Sequence, residues 1–199
     1  MNKAYIKNLL KKDNPIIFEI GCADGIDTQQ FLNEFSEIKI YAFEPDPYNL
    51  NIIKNKNFDK RFNIFKGVVS STDGTRYFLR SDGSRHSGSI LKPKNHLNIW
   101  PEVHFTEQIE VESIRLDTFC EINLINQIDF IWIDAQGAEG EILKSGKNIL
   151  KNTKYIYTEY SDNEWYENQP NLQMLIDILG ENWILKEKFQ ADVLFENIN

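Results

Sequence analysis

Cysteine is scarce in this chain of 199 residues: Cys22 and Cys120 stand far apart and without metal-ligand spacing. Neither a disulfide framework nor a zinc site is indicated, and a reduced, cytoplasmic setting is expected. Long apolar runs are missing too. No stretch approaches the roughly 18 apolar residues of a membrane span. The opening MNKAYIKNLLKKDN scatters lysines among its apolar residues and lacks the continuous apolar core of a secretory signal. Basic charge is in deficit, with 22 Lys and Arg against 30 Asp and Glu for a formal net charge of -8. Nucleic acid is therefore a poor partner, because affinity for a long polyanion comes from cations that neutralise phosphates. There is no internal repeat, no low-complexity tract and no linker, so residues 1–199 are read as one domain around one core.

What the chain does have is a recurring order of short apolar run, turn and helical pattern. Runs at Ile16 to Ile20, Ile38 to Phe43, Phe62 to Val69, Ile128 to Ile133 and Tyr155 to Thr158 read as strands buried on both faces. Helix starts are expected at Asp27, as a capping box with Gln30, and at Asp46 followed by Pro47. Gly146 is expected to close a helix as a C-terminal cap. This alternation predicts an α/β fold with a mostly parallel sheet. The closing WILKEKFQADVLFEN has no room for a crossover helix and predicts a terminal antiparallel hairpin. Asp73-Gly74 also reads as a hairpin turn. Ser81 to Glu110 has no clean period and is expected to be an acceptor-side loop or lid.

The stretch IIFEIGCADGIDTQQFL carries a glycine turn between the first strand and its helix, where open α/β sheets bind ligands. Its pattern is G-x-x-x-G rather than the dinucleotide fingerprint G-x-G-x-x-G, and no Walker lysine follows. Glu19 and Asp24 beside the turn would repel a phosphate and favour an ammonium or sulfonium group. Glu44, after the second strand in YAFEPDP, is placed to accept both hydroxyls of a ribose. A ribose with a positive, phosphate-free remainder describes S-adenosylmethionine.

On EIGCADGIDT, FEPDP, VESIRLDTF, DFIWIDAQGAEGEILKSG, YTEYSDNEWYENQP and ADVLFEN, the chain resembles the FkbM family of S-adenosylmethionine-dependent methyltransferases over nearly its whole length. IDAQGAE resembles the family's I-D-x-E-G-x-E block, with Gln136 where glutamate is frequent and Trp132 where lysine is frequent. The resemblance implies a Rossmann-like, seven-stranded class I methyltransferase sheet with a reversed last strand. It also implies O-methylation of a hydroxyl on a sugar, glycan or small metabolite. The cofactor is then expected on Glu19, Gly21, Ala23, Asp24, Gly25, Asp27, Thr28, Glu44, Pro45, Val69 and Asp134. Asp134, His86 and Glu159 are the candidate catalytic groups, since a carboxylate or histidine can take a hydroxyl proton. No metal is expected. Tyr48 could stack on adenine or support its helix, and Glu139 reads as a first-turn acid facing the helix dipole. A nicotinamide-dependent oxidoreductase, a cofactor-binding subunit without turnover and an N-methyltransferase stay open.

Overall fold

The computed structural model describes residues 1–199. In chain order it runs α1 (Lys3–Leu10), β1 (Ile16–Ile20), α2 (Ile26–Glu34), β2 (Lys39–Phe43), α3 (Pro47–Asn55), β3 (Phe62–Phe65), β4 (Gly67–Val69), β5 (Gly74–Asp82) and α4 (His96–Ile99). It continues with β6 (His104–Ile114), α5 (Leu116–Ile122), β7 (Ile128–Ile133), α6 (Glu139–Ser145), a 3-10 turn, β8 (Thr153–Glu159), α7 (Leu172–Leu179), β9 (Trp183–Lys188) and β10 (Asp192–Asn197).

Seven strands form one sheet in the order β3-β2-β1-β7-β8-β10-β9. The first five are parallel, and β10 runs antiparallel to both β8 and β9. Alternation along each strand sends neighbouring side chains to opposite faces. On β1, Ile17 joins Phe31, Phe35 and Ile40 beneath α1 and α2, while Phe18 and Ile20 join Phe43, Phe119 and Ile142 beneath α5 and α6. Phe119 meets Phe18, Tyr41, Phe43 and Phe65 with ring centroids 4.7 to 5.9 Å apart, closing that face. No helix is long and apolar enough to cross a membrane.

A second sheet, β4-β6-β5, departs from the sequence reading. The run Phe62 to Val69 is two strands, because the chain leaves the main sheet at Lys66 and β4 pairs in parallel with β6. Gly67 permits the switch: a Cβ there would lie 2.3 Å from the Glu112 carbonyl oxygen. Asp73-Gly74 is a turn between strands that do not pair with each other, since β5 pairs with β6. The Asp73 carboxylate instead accepts from the Arg115 N–H at 2.7 Å and the Thr118 hydroxyl at 2.9 Å, tying down the start of α5. The irregular segment is also shorter than expected. Ser81 and Asp82 belong to β5, and His104 to Glu110 belong to β6.

One helix start differs as well, and one helix end stands as read. Gly25, in a left-handed conformation at φ 74°, is the N-cap of α2, so Asp27 lies inside the first turn and pairs with Lys3 at 2.6 Å. Gly146 is the C-cap of α6 as expected, its N–H donating to the Leu143 carbonyl, and its φ of -111° is open to any residue. It is required there for space, because a Cβ would meet the Leu116 side chain at 2.7 Å. Asp46 caps α3 as expected, accepting from the Tyr48 N–H at 2.8 Å ahead of Pro47.

Candidate functional site

At the carboxyl ends of β1, β2 and β7 lies a cavity holding about 650 Å³ of empty space, its open mouth included. The turn after β1 forms its floor by winding through left-handed backbone at Gly21, Ala23 and Gly25. Glycine is obligatory at the first of these: Gly21 has φ 88°, and a Cβ would fall 1.8 Å from the Asp134 carbonyl oxygen. Two N–H groups, of Gly21 and Cys22, donate to the Phe43 carbonyl and bind this turn to the end of β2.

Glu44 is the buried acid of the cavity. Its Oε2 accepts from the Ala23 N–H at 2.9 Å, and its Oε1 from the Asp46 N–H at 2.8 Å and the Asn49 amide at 3.3 Å. Burial pushes its carboxyl up to about 7, against the downward pull of those donors. Oε2, with one protein donor, retains a lone pair for a ligand hydroxyl.

The turn after β7 supplies the opposite wall. Asp134 stands at its start and accepts from Gln136 Nε2 at 2.7 Å. Burial holds the Asp134 carboxyl above the usual carboxylate range, aided by Asp192 and opposed by the Gln136 donor and by His86. Gln136 and Gly137 are both left-handed, at φ 52° and 95°. The buried Glu139 carboxylate locks this turn by accepting from the Ala135 and Gly137 N–H groups at 3.1 and 3.2 Å. Burial raises Glu139 to about 7. It occupies the first helical turn as read from sequence, and its carboxylate serves the preceding loop.

Of the expected cofactor residues, Gly21, Ala23, Glu44, Pro45, Val69 and Asp134 line the cavity, together with His86. The other five do not. Glu19 points to the opposite face of β1, where its carboxylate accepts from the Thr28 hydroxyl at 2.5 Å and burial pushes it up to about 8. Strand alternation is the reason: Ile20 faces the cavity, so Glu19 cannot. Asp24 accepts from the Ile26 N–H at 3.0 Å, Gly25 packs on the Phe58 ring, and Asp27 reaches Lys3. Tyr48 also lies outside the cavity, half-exposed, with the Arg85 guanidinium 4.7 Å from its ring centre.

Glu159 lines a second, larger cavity of about 1020 Å³ that meets the first at Gln136. Its walls are aromatic, from His96, Trp100, Tyr160, Trp165 and Tyr166, with Glu102 and Gln169 among them. Trp100 and Trp165 meet edge to face at 5.3 Å. Burial and the neighbouring Asp134, Glu139 and Asp192 push Glu159 up to about 8. His96 is buried among Trp100, Phe105 and Tyr166, and that burial lowers its pKa. His104 is exposed on β6.

Two irregular segments wall the second cavity and hold each other, and the first of them also covers the first cavity through Arg85 to Ile90. Lys94 and His96 donate their N–H groups to the Trp165 carbonyl, and Glu167 donates its own to Lys92. The Ser89 hydroxyl donates to the Gln136 carbonyl at 2.7 Å, and the Tyr166 hydroxyl lies 2.8 Å from the Ser87 carbonyl. Sequence reading missed Asn49, Arg85, Ser89, Gln136 and Tyr166 as site residues. Asn49 had a local signal, since it sits on the capped helix just after Glu44; the others are recruited from distant loops.

The model of the methyltransferase FkbM domain matches residues 19–189. The chain is 38% identical over 202 residues to the 2-O-methyltransferase NoeI of Sinorhizobium fredii, covering 96% of this chain and 83% of that protein. Among solved structures, an rRNA methylase from Streptococcus thermophilus superposes with a TM-score of 0.53 at 13% identity, covering 98% of this chain and 95% of its own. A precorrin-6y C5,15-methyltransferase from Geobacter metallireducens gives 0.50 at 11% identity, covering 97% and 84%. These two likenesses concern the fold.

Proposed function

As this chain belongs to the FkbM methyltransferase family, we propose that it transfers a methyl group from S-adenosylmethionine to a hydroxyl of a sugar, glycan or small metabolite. The observation that carries the reading is the pairing of two cavities at Gln136, one built around a buried glutamate and the other walled by aromatic rings. The relative's 2-O-methyltransferase activity supports a hydroxyl acceptor.

The residues of the first cavity fit the cofactor. Glu44 would hold the ribose hydroxyls, and Val68, Val69, Phe78 and Ile142 offer apolar surface for a planar base. The Gly21 to Ala23 turn would carry the amino-acid part, with Asp134 facing the positive centre. When bound, S-adenosylmethionine supplies a methyl group made electrophilic by a sulfonium. In the second cavity Trp100 and Trp165 offer apolar surface to a sugar ring, while Glu159 and Gln169 would accept from and donate to its hydroxyls. Asp134, in the first cavity and bonded to Gln136 at the junction, would take the acceptor proton; His86 in the first cavity and Glu159 in the second are the other candidate bases. Holding both partners in line supplies much of the acceleration. Two buried, unpaired thiols fit a cytoplasmic setting.

Calorimetric titration tests the cofactor. S-adenosylmethionine and its demethylated product should bind and NAD should not; NAD binding without an S-adenosylmethionine signal would overturn the reading. Glu44→Ala should weaken cofactor binding by roughly 1.5 to 3 kcal/mol, the scale of hydrogen bonds to a charged group. Asp134→Asn should retain most cofactor affinity and lose turnover when hydroxylated acceptors are screened for methyl incorporation. Unchanged turnover in that variant would remove Asp134 from catalysis.

A further inference from the structure

The hydrogen-bond chain between the two cavities is one proton short. Gln136 Nε2 donates to Asp134 Oδ1 at 2.7 Å. On its other side the Tyr166 hydroxyl lies 3.1 Å from Gln136 Oε1 and 2.8 Å from the Ser87 carbonyl oxygen. In this arrangement the hydroxyl faces two acceptors, and a phenol has one proton to give. Either Gln136 Oε1 or the buried Ser87 carbonyl goes without a full partner.

Turning the amide over leaves every heavy-atom position in place and changes the count. Oε1 then faces Asp134, whose carboxyl must carry the proton between them. Nε2 donates to the Tyr166 oxygen, and the Tyr166 hydroxyl is free to donate to Ser87. Every group in the chain is satisfied in this second state. Glutamine suits the position because it can donate at one end and accept at the other in either orientation; a glutamate there would set a second carboxylate 2.7 Å from Asp134.

We propose that Gln136 and Tyr166 are positioning residues that reverse their hydrogen-bond direction as Asp134 gains or loses a proton, and that through Ser87 they tie the charge of Asp134 to the loop roofing the cavity. The inference rests on the reading of Asp134 as the group that takes the acceptor proton. As the acceptor oxygen takes the methyl group from sulfur, which keeps the electron pair of the broken bond, its O–H proton would pass to Asp134 Oδ2, the oxygen not held by Gln136; a half-turn of the carboxyl brings that O–H toward Gln136, the amide turns, and the completed chain holds the protonated carboxyl and Ser87 together. Burial and the negative charges around Asp134 make the protonated form accessible: Glu139 from α6, Glu159 from β8, Asp192 from β10 and, more weakly, Asp27 from α2, with His86 acting the other way.

The test uses the protein without cofactor or acceptor, so it is independent of the calorimetry above, and either result can fail alone. Carboxyl carbon NMR, with Asp134 assigned through Asp134→Asn, should show that group titrating above the usual carboxylate range. The backbone amides of Ser87 and Gly88 should shift with the same midpoint. In Tyr166→Phe the protonated form loses two hydrogen bonds and the ionised form one. The midpoint should fall by about half to one pH unit, and the loop amides should stop following it. Tyr160→Phe, in the same cavity but outside the chain, should change neither. Should Tyr166→Phe fail to fold, Gln136→Met breaks the chain at its centre and must uncouple the loop amides in the same way. Loop amides of the unaltered protein that ignore the Asp134 titration, or an unchanged midpoint in Tyr166→Phe, overturn the proposal.

Discussion

The two cavities that meet at Gln136 are built in opposite ways. The floor of the first is made of strand ends and the turns that leave them, beneath the loop from Arg85 to Ile90, so Gly21, Glu44 and Asp134 are held by backbone hydrogen bonds of the main sheet. The second is made of two irregular segments, residues 84–103 and 160–170, that pin each other through loop-to-loop bonds such as those onto the Trp165 carbonyl. A site on strand ends inherits the rigidity of the sheet, whereas a site between loops can change its side chains without disturbing the core. The difference teaches where each part of the chemistry belongs: an invariant cofactor suits the first kind of wall and a variable acceptor the second.

Substitutions should separate the two regions, beginning with the largest effect. Gly21→Ala forces a side chain into left-handed backbone and onto the Asp134 carbonyl. It should destabilise the protein by about 3 kcal/mol or more, a fall in Tm of roughly 6 to 12 °C, and abolish cofactor binding. A folded variant with normal affinity would break the claim that the sheet dictates the first cavity. Trp165→Ala should instead leave cofactor affinity intact and raise the acceptor KM, on the order of 5-fold for about 1 kcal/mol of lost aromatic contact. Equal losses for cofactor and acceptor would mean that the cavities are not separable.

The last test reads stability against pH rather than affinity and lies behind the first cavity. Glu19 has a folded-state pKa pushed up to about 8 from an ordinary 4.5, chiefly by burial. The folded protein therefore keeps a proton that the unfolded chain has released. Its contribution to stability is fully present below about pH 4.5 and is lost as pH rises through about 8. Thermal melts should show stability declining over that interval, and Glu19→Gln should make the decline shallower without altering cofactor affinity at neutral pH. A variant with the same slope and weakened cofactor binding would return Glu19 to the binding site.

The first region was largely legible in the sequence. Apolar runs bounded by Gly, Asp and Pro located β1, β2, β7 and β8, and the acids directly after β2 and β7 pointed at Glu44 and Asp134. The misassignment of Glu19 followed from reading proximity along the chain where the period-2 alternation of a strand decides direction. The second region was legible only in outline, as the irregular stretch Ser81 to Glu110 and the acid Glu159, and its strands were not. Strands β5 and β6 pair across an intervening irregular stretch, and β6 carries charged residues along much of an exposed, antiparallel surface, so no apolar run announces it.

By itself, then, the sequence determined the alternating α/β order, the parallel sheet, the reversed final strand and the acids at the strand ends, because each follows from local spacing of apolar residues and turn formers. Only the tertiary structure decided that Phe62 to Val69 divides between two sheets, that Gly146 is small for the sake of Leu116, and that Tyr166 and Gln136 meet between the cavities. Those outcomes depend on contacts between residues 30 or more positions apart, or on which of two sheets a strand end can reach. Neither the composition of a segment nor its periodicity carries that information.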